Sequence, residues 1–267
     1  MKFRIVTDSS SNVLSIPHED YGCVPMKIVA GKEYVDAPGL NVAQMVEDLK
    51  GYKGKTGSSC PNVGEWLEAF GDAQYVFGIT ITKHLSGSYN AARQAAETYM
   101  EEHPDRRVYL FDSLAAGPEL MMIADKIRQC EAAGDDFDTT VAKVLDYHNH
   151  THTIFCLESM HNLAHNGRVP ITVAKLAGML GIRIIGEAQG GQIVAIHKPR
   201  GEKKAMLAMA QTVKERGFRD GELIRISHCF ADDRVQEFMS KIREDFPHAR
   251  FIVEPTTALC SYYAEHG

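Results

Sequence analysis

No Cys-x-x-Cys pair and no other short cysteine spacing occurs among the six cysteines, at positions 23, 60, 130, 156, 229 and 260, which argues against a thiolate zinc site. They read as reduced, mostly buried thiols. Basic residues are outnumbered, 29 to 35, and a formal net charge of −6 leaves no general basic face for nucleic acid. A local patch remains at Lys198, Arg200, Lys203 and Lys204. No apolar run reaches the roughly 18 to 20 residues of a membrane span. The opening Met1-Lys2-Phe3-Arg4-Ile5 runs into a charged turn rather than a signal-peptide core, so the cytoplasm is the expected location. Neither the phosphate-loop pattern, nor the dinucleotide glycine pattern, nor a Gly-x-Ser-x-Gly elbow is present. No repeat or low-complexity segment interrupts the chain.

What is present is an ordinary globular composition, 44% apolar and 24% charged over 267 residues, enough for one large or two modest domains. Strand-like runs at Phe3 to Thr7, Val24 to Val29, Gln74 to Thr82 and Val108 to Asp112 alternate with helical patterns around 41–50, 62–70, 88–102 and 117–133. Such alternation predicts a parallel sheet covered by helices on both faces, an α/β/α layering. Gly31-Lys32-Glu33 reads as a small hairpin or turn excursion. A helix near 137–149 follows. A second series then runs through Thr153 to Leu157, Arg183 to Glu187, Gln192 to His197, Leu223 to His228 and Arg250 to Val253, with helices at 202–216 and 233–245. Gly190-Gly191 between two apolar runs predicts antiparallel pairing through a tight turn. The expected fold is therefore α/β in two domains, 1–150 with a parallel sheet and 151–267 with a mixed sheet, and a groove between them is the natural ligand site.

Three hydroxyl-rich turns stand out. Ile79-Thr80-Ile81-Thr82 leads through Leu85-Ser86-Gly87-Ser88-Tyr89 into a helical pattern, placing hydroxyls and free N–H groups at a helix N-terminus, where an anion is favoured. Thr56-Gly57-Ser58-Ser59-Cys60-Pro61-Asn62 precedes an amphipathic run, with Asn62 as cap and Glu65 as its capping-box partner. The first strand ends in Asp8-Ser9-Ser10-Ser11, and the carboxyl ends of parallel strands are where ligands bind. Helix capping alone accounts for any one cluster; three together point to a site.

Other readings compete. Asp8 as the nucleophile of a phosphotransferase lacks a second acid two positions on to hold magnesium, and Ser86 as a hydrolase nucleophile has only His84 close in sequence. His148 and His152, with His150 between them, share the i, i+4 spacing of a metal pair, as do His161 and His165, yet the first group reads better as a solvated helix end and the second is discounted in the same way. Asn166-Gly167 before Arg168, and Pro199 and Gly201 around Arg200, put both arginines on turns, where a guanidinium can project toward phosphate or carboxylate.

Taken in order, Val6-Thr7-Asp8-Ser9-Ser10, Val24-Pro25-Met26, Tyr34-Val35-Asp36, Ser58-Ser59-Cys60-Pro61 with Gly64-Glu65-Trp66, Leu85-Ser86-Gly87-Ser88-Tyr89, Asp112-Ser113, Asn166-Gly167-Arg168 and Lys198-Pro199-Arg200 resemble the DegV family of bacterial fatty-acid-binding proteins over nearly the whole chain. The resemblance implies a carrier, not an enzyme, with no cofactor. One long-chain fatty acid would lie in an internal apolar tunnel, with its carboxylate presented to a partner fatty acid kinase, and with at most transient membrane contact. It implies carboxylate binding by Ser86, with Gly87 and Ser88, and by the hydroxyl of the earlier turn, Ser58 with Ser59. Anchoring on Gly64-Glu65-Trp66 selects Ser58; anchoring on Lys55-Thr56 selects Thr56 instead. Arg168 and Arg200 match family arginines associated with kinase docking. Two departures stand against the pattern. Asn166 replaces the first glycine of a Gly-Gly-Arg run, a change that left-handed backbone tolerates. The chain also stops at Glu265-His266-Gly267, where the family continues through His-x-Gly-Pro-Gly; His266 is the matching histidine near the carboxylate. The alternative function is a small-molecule hydrolase or phosphotransferase using Asp8 or Ser86.

A fatty acid divides the energetics unevenly. Burying ~15 methylenes at about 0.8 kcal/mol each gives roughly 12 kcal/mol before ordering and association costs. A carboxylate exchanging water for two hydroxyls and a helix N-terminus gains about 1 to 3 kcal/mol. The tail sets affinity and the head sets register. Leu120, Met121 and Ile123, or Leu176, Met179 and Leu180, are candidate tunnel walls, although each reads more readily as ordinary core.

Overall fold

The computed structural model describes residues 3–17, 20–177 and 181–265. The chain divides into two compact units, Met1–Thr151 with Thr257–Leu259, and His152–Thr256 with Cys260–Gly267.

In the first unit the elements run β1 (Phe3–Asp8), β2 (Tyr21–Val24), β3 (Lys27–Val29), β4 (Glu33–Val35), α1 (Val42–Gly51), β5 (Gly57–Ser59), α2 (Val63–Phe70), β6 (Tyr75–Thr80), α3 (Ser88–Glu102), β7 (Arg107–Asp112), α4 (Pro118–Ala132) and α5 (Phe137–His148). Four strands form a parallel sheet in the order β2-β1-β6-β7. Alternation along each strand sends neighbours to opposite faces. Ile5, Phe77 and Ile79 meet Leu120, Ile123 and Phe137 of α4 and α5, whereas Val6 and Val76 meet Trp66, Phe70, Ala92 and Ala95 of α2 and α3. That is the three-layer arrangement the alternating pattern predicts. Leu120, Met121 and Ile123 are fully buried members of this core. The Leu176 side chain, Met179 and Leu180 lie outside the described residues.

The run Val24 to Val29 is not one strand. Pro25 has no N–H to give a ladder, and the chain leaves the parallel sheet there; β3 then pairs with β4 and β5 in a small antiparallel sheet, order β4-β3-β5. Gly57–Ser59, expected as a turn, is its third strand. Asn62 caps α2 as expected, accepting from Glu65 N–H while the Glu65 carboxylate accepts from Asn62 N–H.

The second unit contains β8 (Ile154–Leu157), α6 (His161–His165), α7 (Ile171–Ala177), β9 (Ile184–Gln189), β10 (Gln192–His197), α8 (Glu202–Glu215), β11 (Leu223–His228), α9 (Asp232–Asp245) and β12 (Arg250–Pro255). The closing α10 (Ala258–Ala264) begins in the first unit's share of the chain and ends in the second's. Antiparallel and parallel pairing both occur here, divided between a three-stranded antiparallel sheet, β10-β9-β8, and a parallel pair, β11-β12. Gly190 and Gly191 have φ of 56° and 83° and make the tight β9–β10 turn, a conformation that other residues resist.

Candidate functional site

Three strand ends and one neighbouring strand meet at the carboxyl edge of the parallel sheet. β1 delivers Asp8 and the short turn Ser9–Ser11, β6 delivers the loop to Ser88, and β7 delivers Asp112 to Gly117. Backbone bonds stitch them: Thr82 N–H to Ala115 O at 2.8 Å, Ser113 N–H to Thr80 O at 3.1 Å, and Gly117 N–H to Ser10 O at 2.9 Å. The Asp112 carboxylate accepts from the N–H of Lys83 (3.4 Å) and of Leu114 (3.1 Å).

At the entry to α3, Leu85 and Ser86 turn back on Thr82 O. Gly87 is the N-cap and gives the helix no side-chain cap. Ser88 N–H donates instead to Ser86 Oγ at 3.2 Å. A hydroxyl that accepts this bond keeps its proton for another acceptor, and no described residue takes it. The Ser86 hydroxyl and the α3 N-terminus are therefore a donor set suited to a carboxylate or phosphate oxygen. Gly87 is also where the β5–α2 turn comes close, since a Cβ there would lie 3.1 Å from Cys60 Sγ. The two hydroxyl-rich turns thus adjoin.

In β5, Ser58 pairs with the fully buried Ile28, so the two side chains share a face. Ser59 pairs with Lys27 on the opposite face and is exposed. Ser59 therefore points away from the side that Ser58 faces. Thr56, half-buried, precedes the strand.

The Ser88 hydroxyl has its partner within the protein. It donates to Asp8 Oδ2 at 2.7 Å, so its proton is committed within the protein. Asp8 is fully buried and accepts three further bonds, from Ser10 Oγ (2.5 Å), Ser10 N–H (3.2 Å) and Ile81 N–H (2.9 Å). Burial raises its pKa above the ordinary 3.8, against the opposing pull of Ser10, Ser88 and the Ile81 N–H. A carboxylate so enclosed is an organising centre and not a nucleophile open to substrate. Next to it, Ser9 Oγ donates to Asp36 Oδ2 at 2.8 Å. Asp36 also receives Thr257 Oγ1 (3.1 Å) and the first two N–H groups of α10, Ala258 (2.8 Å) and Leu259 (3.1 Å). Burial raises the Asp36 pKa too. Sequence reasoning took Asp8-Ser9-Ser10-Ser11 for a ligand turn and missed that its polar groups are consumed internally. The available signal was an acid followed by three hydroxyls at a strand end, in a stretch otherwise apolar enough to be buried.

The remaining candidates are held by other partners. His84 is exposed, with its N–H on Thr82 Oγ1 at 3.3 Å. His148 is not a solvated end: its Nε2 lies 2.9 Å from Ser113 O and 3.7 Å from Glu119. His150 Nδ1 lies 2.7 Å from Asp146 O, and His152 is 3.7 Å from Glu187, so the three histidines have different partners. His161 and His165 are exposed rings stacked at 5.9 Å. Burial pushes the Cys23 thiol up, and that of Cys156 to about 11, consistent with unreactive thiols.

In the second unit, Gly167 (φ 72°) ends α6, with Gly167 N–H on Ala164 O and Arg168 N–H on Leu163 O, a Schellman closure. The Arg168 side chain folds back, donating to Asn166 O at 2.5 Å and lying over the Tyr263 ring at 5.9 Å. Arg200 is exposed, on a strand bridge opposite Ile182. His266 falls outside the described residues. Among the described residues, no helix is long and apolar enough to cross a membrane.

The family model named DegV, described as an uncharacterised protein of the DegV family, matches residues 2–267. A DegV domain-containing protein of Streptococcus gordonii is 35% identical over 273 residues, covering 100% of this chain and 97% of its own. Among solved structures, a DegV family protein from Eubacterium eligens loaded with heptadecanoic acid aligns with a TM-score of 0.95 at 35% identity, covering 99% of this chain and 96% of that one. The Fatty Acid Kinase (Fak) B3 protein of Streptococcus pneumoniae, loaded with linoleic acid, aligns with a TM-score of 0.96 at 33% identity, covering 100% and 97%. Homologues of this chain thus bind fatty acids in crystals. With the family pattern matched from end to end and relatives sharing a third of their residues over their full length, the chain belongs to the DegV family.

Proposed function

We propose that this protein binds one long-chain fatty acid in an internal apolar tunnel and presents its carboxylate to a fatty acid kinase, acting as a carrier and not as an enzyme. The observation that carries the reading is the turn at the start of α3. A hydroxyl with a free proton, Ser86, sits beside an uncapped helix N-terminus, in a chain closely similar to a linoleic-acid-loaded kinase-system protein. In this reading Ser86 donates to the ligand carboxylate, the N–H groups around Gly87 add the field of the helix, and Ser58 and His266 complete the set. Ser88 acts behind Ser86. The tail contributes most of the binding free energy, because each buried methylene is worth about 0.8 kcal/mol.

Arg200, exposed on its bridge to Ile182, and Arg168 are proposed to dock the kinase. A nucleotide-dependent partner places the protein in the cytoplasm. No cofactor is required for this role, since phosphoryl transfer is the kinase's chemistry.

Native mass spectrometry of the purified protein, before and after denaturation, tests this directly, with fatty-acid analysis of what is released. About one saturated or unsaturated long-chain acid per chain is expected. A protein that is empty and takes up no added fatty acid overturns the proposal.

A further inference from the structure

One carboxylate oxygen closes the loop that carries Ser86. Asp8 Oδ2 accepts both from Ile81 N–H, at the start of that loop, and from Ser88 Oγ, at its end. Oδ1 is held in turn by Ser10 N–H and Ser10 Oγ, so the carboxylate cannot rotate without losing acceptors for its own turn. Ser88 then serves twice: its hydroxyl goes to Asp8 and its N–H goes to Ser86 Oγ. That second bond occupies a lone pair of Ser86 and so turns the Ser86 proton away from Ser88. Asp8 itself is fully buried, and each of its four donors is a neutral backbone or hydroxyl group.

We propose that Asp8 is a positioning residue for head-group recognition: by clamping Ile81 and Ser88 on one oxygen, it aims the Ser86 hydroxyl at the ligand carboxylate. The inference rests on the fatty-acid reading above and deepens it, because it assigns head-group selectivity to a residue that never touches the ligand. The Asp8→Asn change is isosteric but leaves one oxygen where two are needed. Either the Ser10 pair or the Ile81–Ser88 pair then faces an amide NH2, and the Ile81 N–H cannot accept from it.

The experiment compares affinities for hexadecanoic acid and 1-hexadecanol, which share the tail and differ in the head, in the full chain and in Ser86→Ala, Asp8→Asn, Ser88→Ala and the double variant Asp8→Asn/Ser86→Ala. The wild type should prefer the acid. Ser86→Ala should lower the acid-to-alcohol ratio about 10-fold. Asp8→Asn should lower it by a similar factor, with alcohol affinity changed less than about twofold, and the double variant should lose little more, as expected for groups acting through one hydroxyl. Should Asp8→Asn fail to fold, Ser88→Ala carries the test, because it cuts the link and leaves the buried carboxylate with three donors; a ratio lowered at least about threefold is expected. A wild-type ratio retained in Asp8→Asn or in Ser88→Ala overturns the proposal, as does an equal loss of acid and alcohol, which marks a purely structural role. A wild type that binds neither ligand, or does not prefer the acid, instead overturns the fatty-acid reading and this inference with it.

Discussion

Asp8 and Asp36 in the first unit and Glu187 in the second show two different ways of holding a buried carboxylate. In the first, Asp8 and Asp36 take only neutral donors, backbone N–H and hydroxyl groups, and burial raises both pKa values. In the second, Glu187 receives a bidentate Arg216 at 2.6 and 2.7 Å, which holds its pKa below the ordinary 4.5, and the half-buried Glu254 is gripped at 2.9 and 2.8 Å by the Arg225 side chain, itself 7% exposed. The guanidinium clamps join elements by charge, the end of α8 to β9 through Arg216 and β11 to β12 through Arg225. Neutral donors arrayed around one carboxylate instead fix the shape of several turns at once. The difference teaches where precision is needed: at the carboxyl edge of the parallel sheet.

The largest expected effect on that comparison is from Asp36→Ala, which strips the acceptor from Ser9, Thr257 and the first two amides of α10. A loss of about 3 kcal/mol or more in denaturant unfolding is expected, because buried donors are left unmatched. Arg216→Ala should cost less, about 2 kcal/mol: the arginine is one-third exposed, but Glu187, 4% exposed, then keeps its charge with Gln189 as remaining donor. If Arg216→Ala proves the more costly, neutral arrays are not the stronger device.

Ser86→Ala should leave unfolding within about 0.5 kcal/mol and weaken acid binding about 10-fold, separating recognition from stability. Arg200→Ala should change neither stability nor lipid content and should slow phosphorylation of the bound acid by the kinase; an equal loss of bound lipid would put Arg200 in the ligand pocket.

The smallest effect is a difference of sign with pH. Asp8 and Asp36 bind protons more tightly folded than unfolded, so their contribution is full below pH 3.8 and is lost as pH rises through their raised values. Glu187 is the reverse: its contribution is full above 4.5 and is lost as pH falls through its lowered value. Amide exchange, corrected for intrinsic rates, should therefore show protection at Ile81 and Ala258 rising on acidification from pH ~7 to ~4. Protection along β9 should be flat, then fall below about pH 4.5. Parallel behaviour at both places would remove the distinction.

Much of this architecture is legible in the chain, for physical reasons that vary by element. α3 and β10 are read at their observed bounds, because an uninterrupted pattern of one period leaves little choice. The Asn62–Glu65 box and the Gly190-Gly191 turn are equally readable, since local chemistry decides them. Val24 to Val29 misleads because β-propensity continues across Pro25 while the ladder cannot. Ser88 and Ser59 are legible as hydroxyls near the site but not as to which way they face: Ser59 is turned by β5 pairing and Ser88 is claimed by Asp8, 80 residues away in sequence. Asp36 was visible only as part of a family pattern, because nothing in a lone acid tells that four donors will converge on it from as far as residue 259.

The most direct test of the central claim is a crystal structure of the protein grown with hexadecanoic acid. The account expects a carboxyl oxygen within about 3.2 Å of Ser86 Oγ, with the Asp8–Ser88 bond intact behind it and the tail running into apolar surroundings. A carboxyl group bound elsewhere, or a reversed chain with its methyl end at the α3 N-terminus, would contradict it.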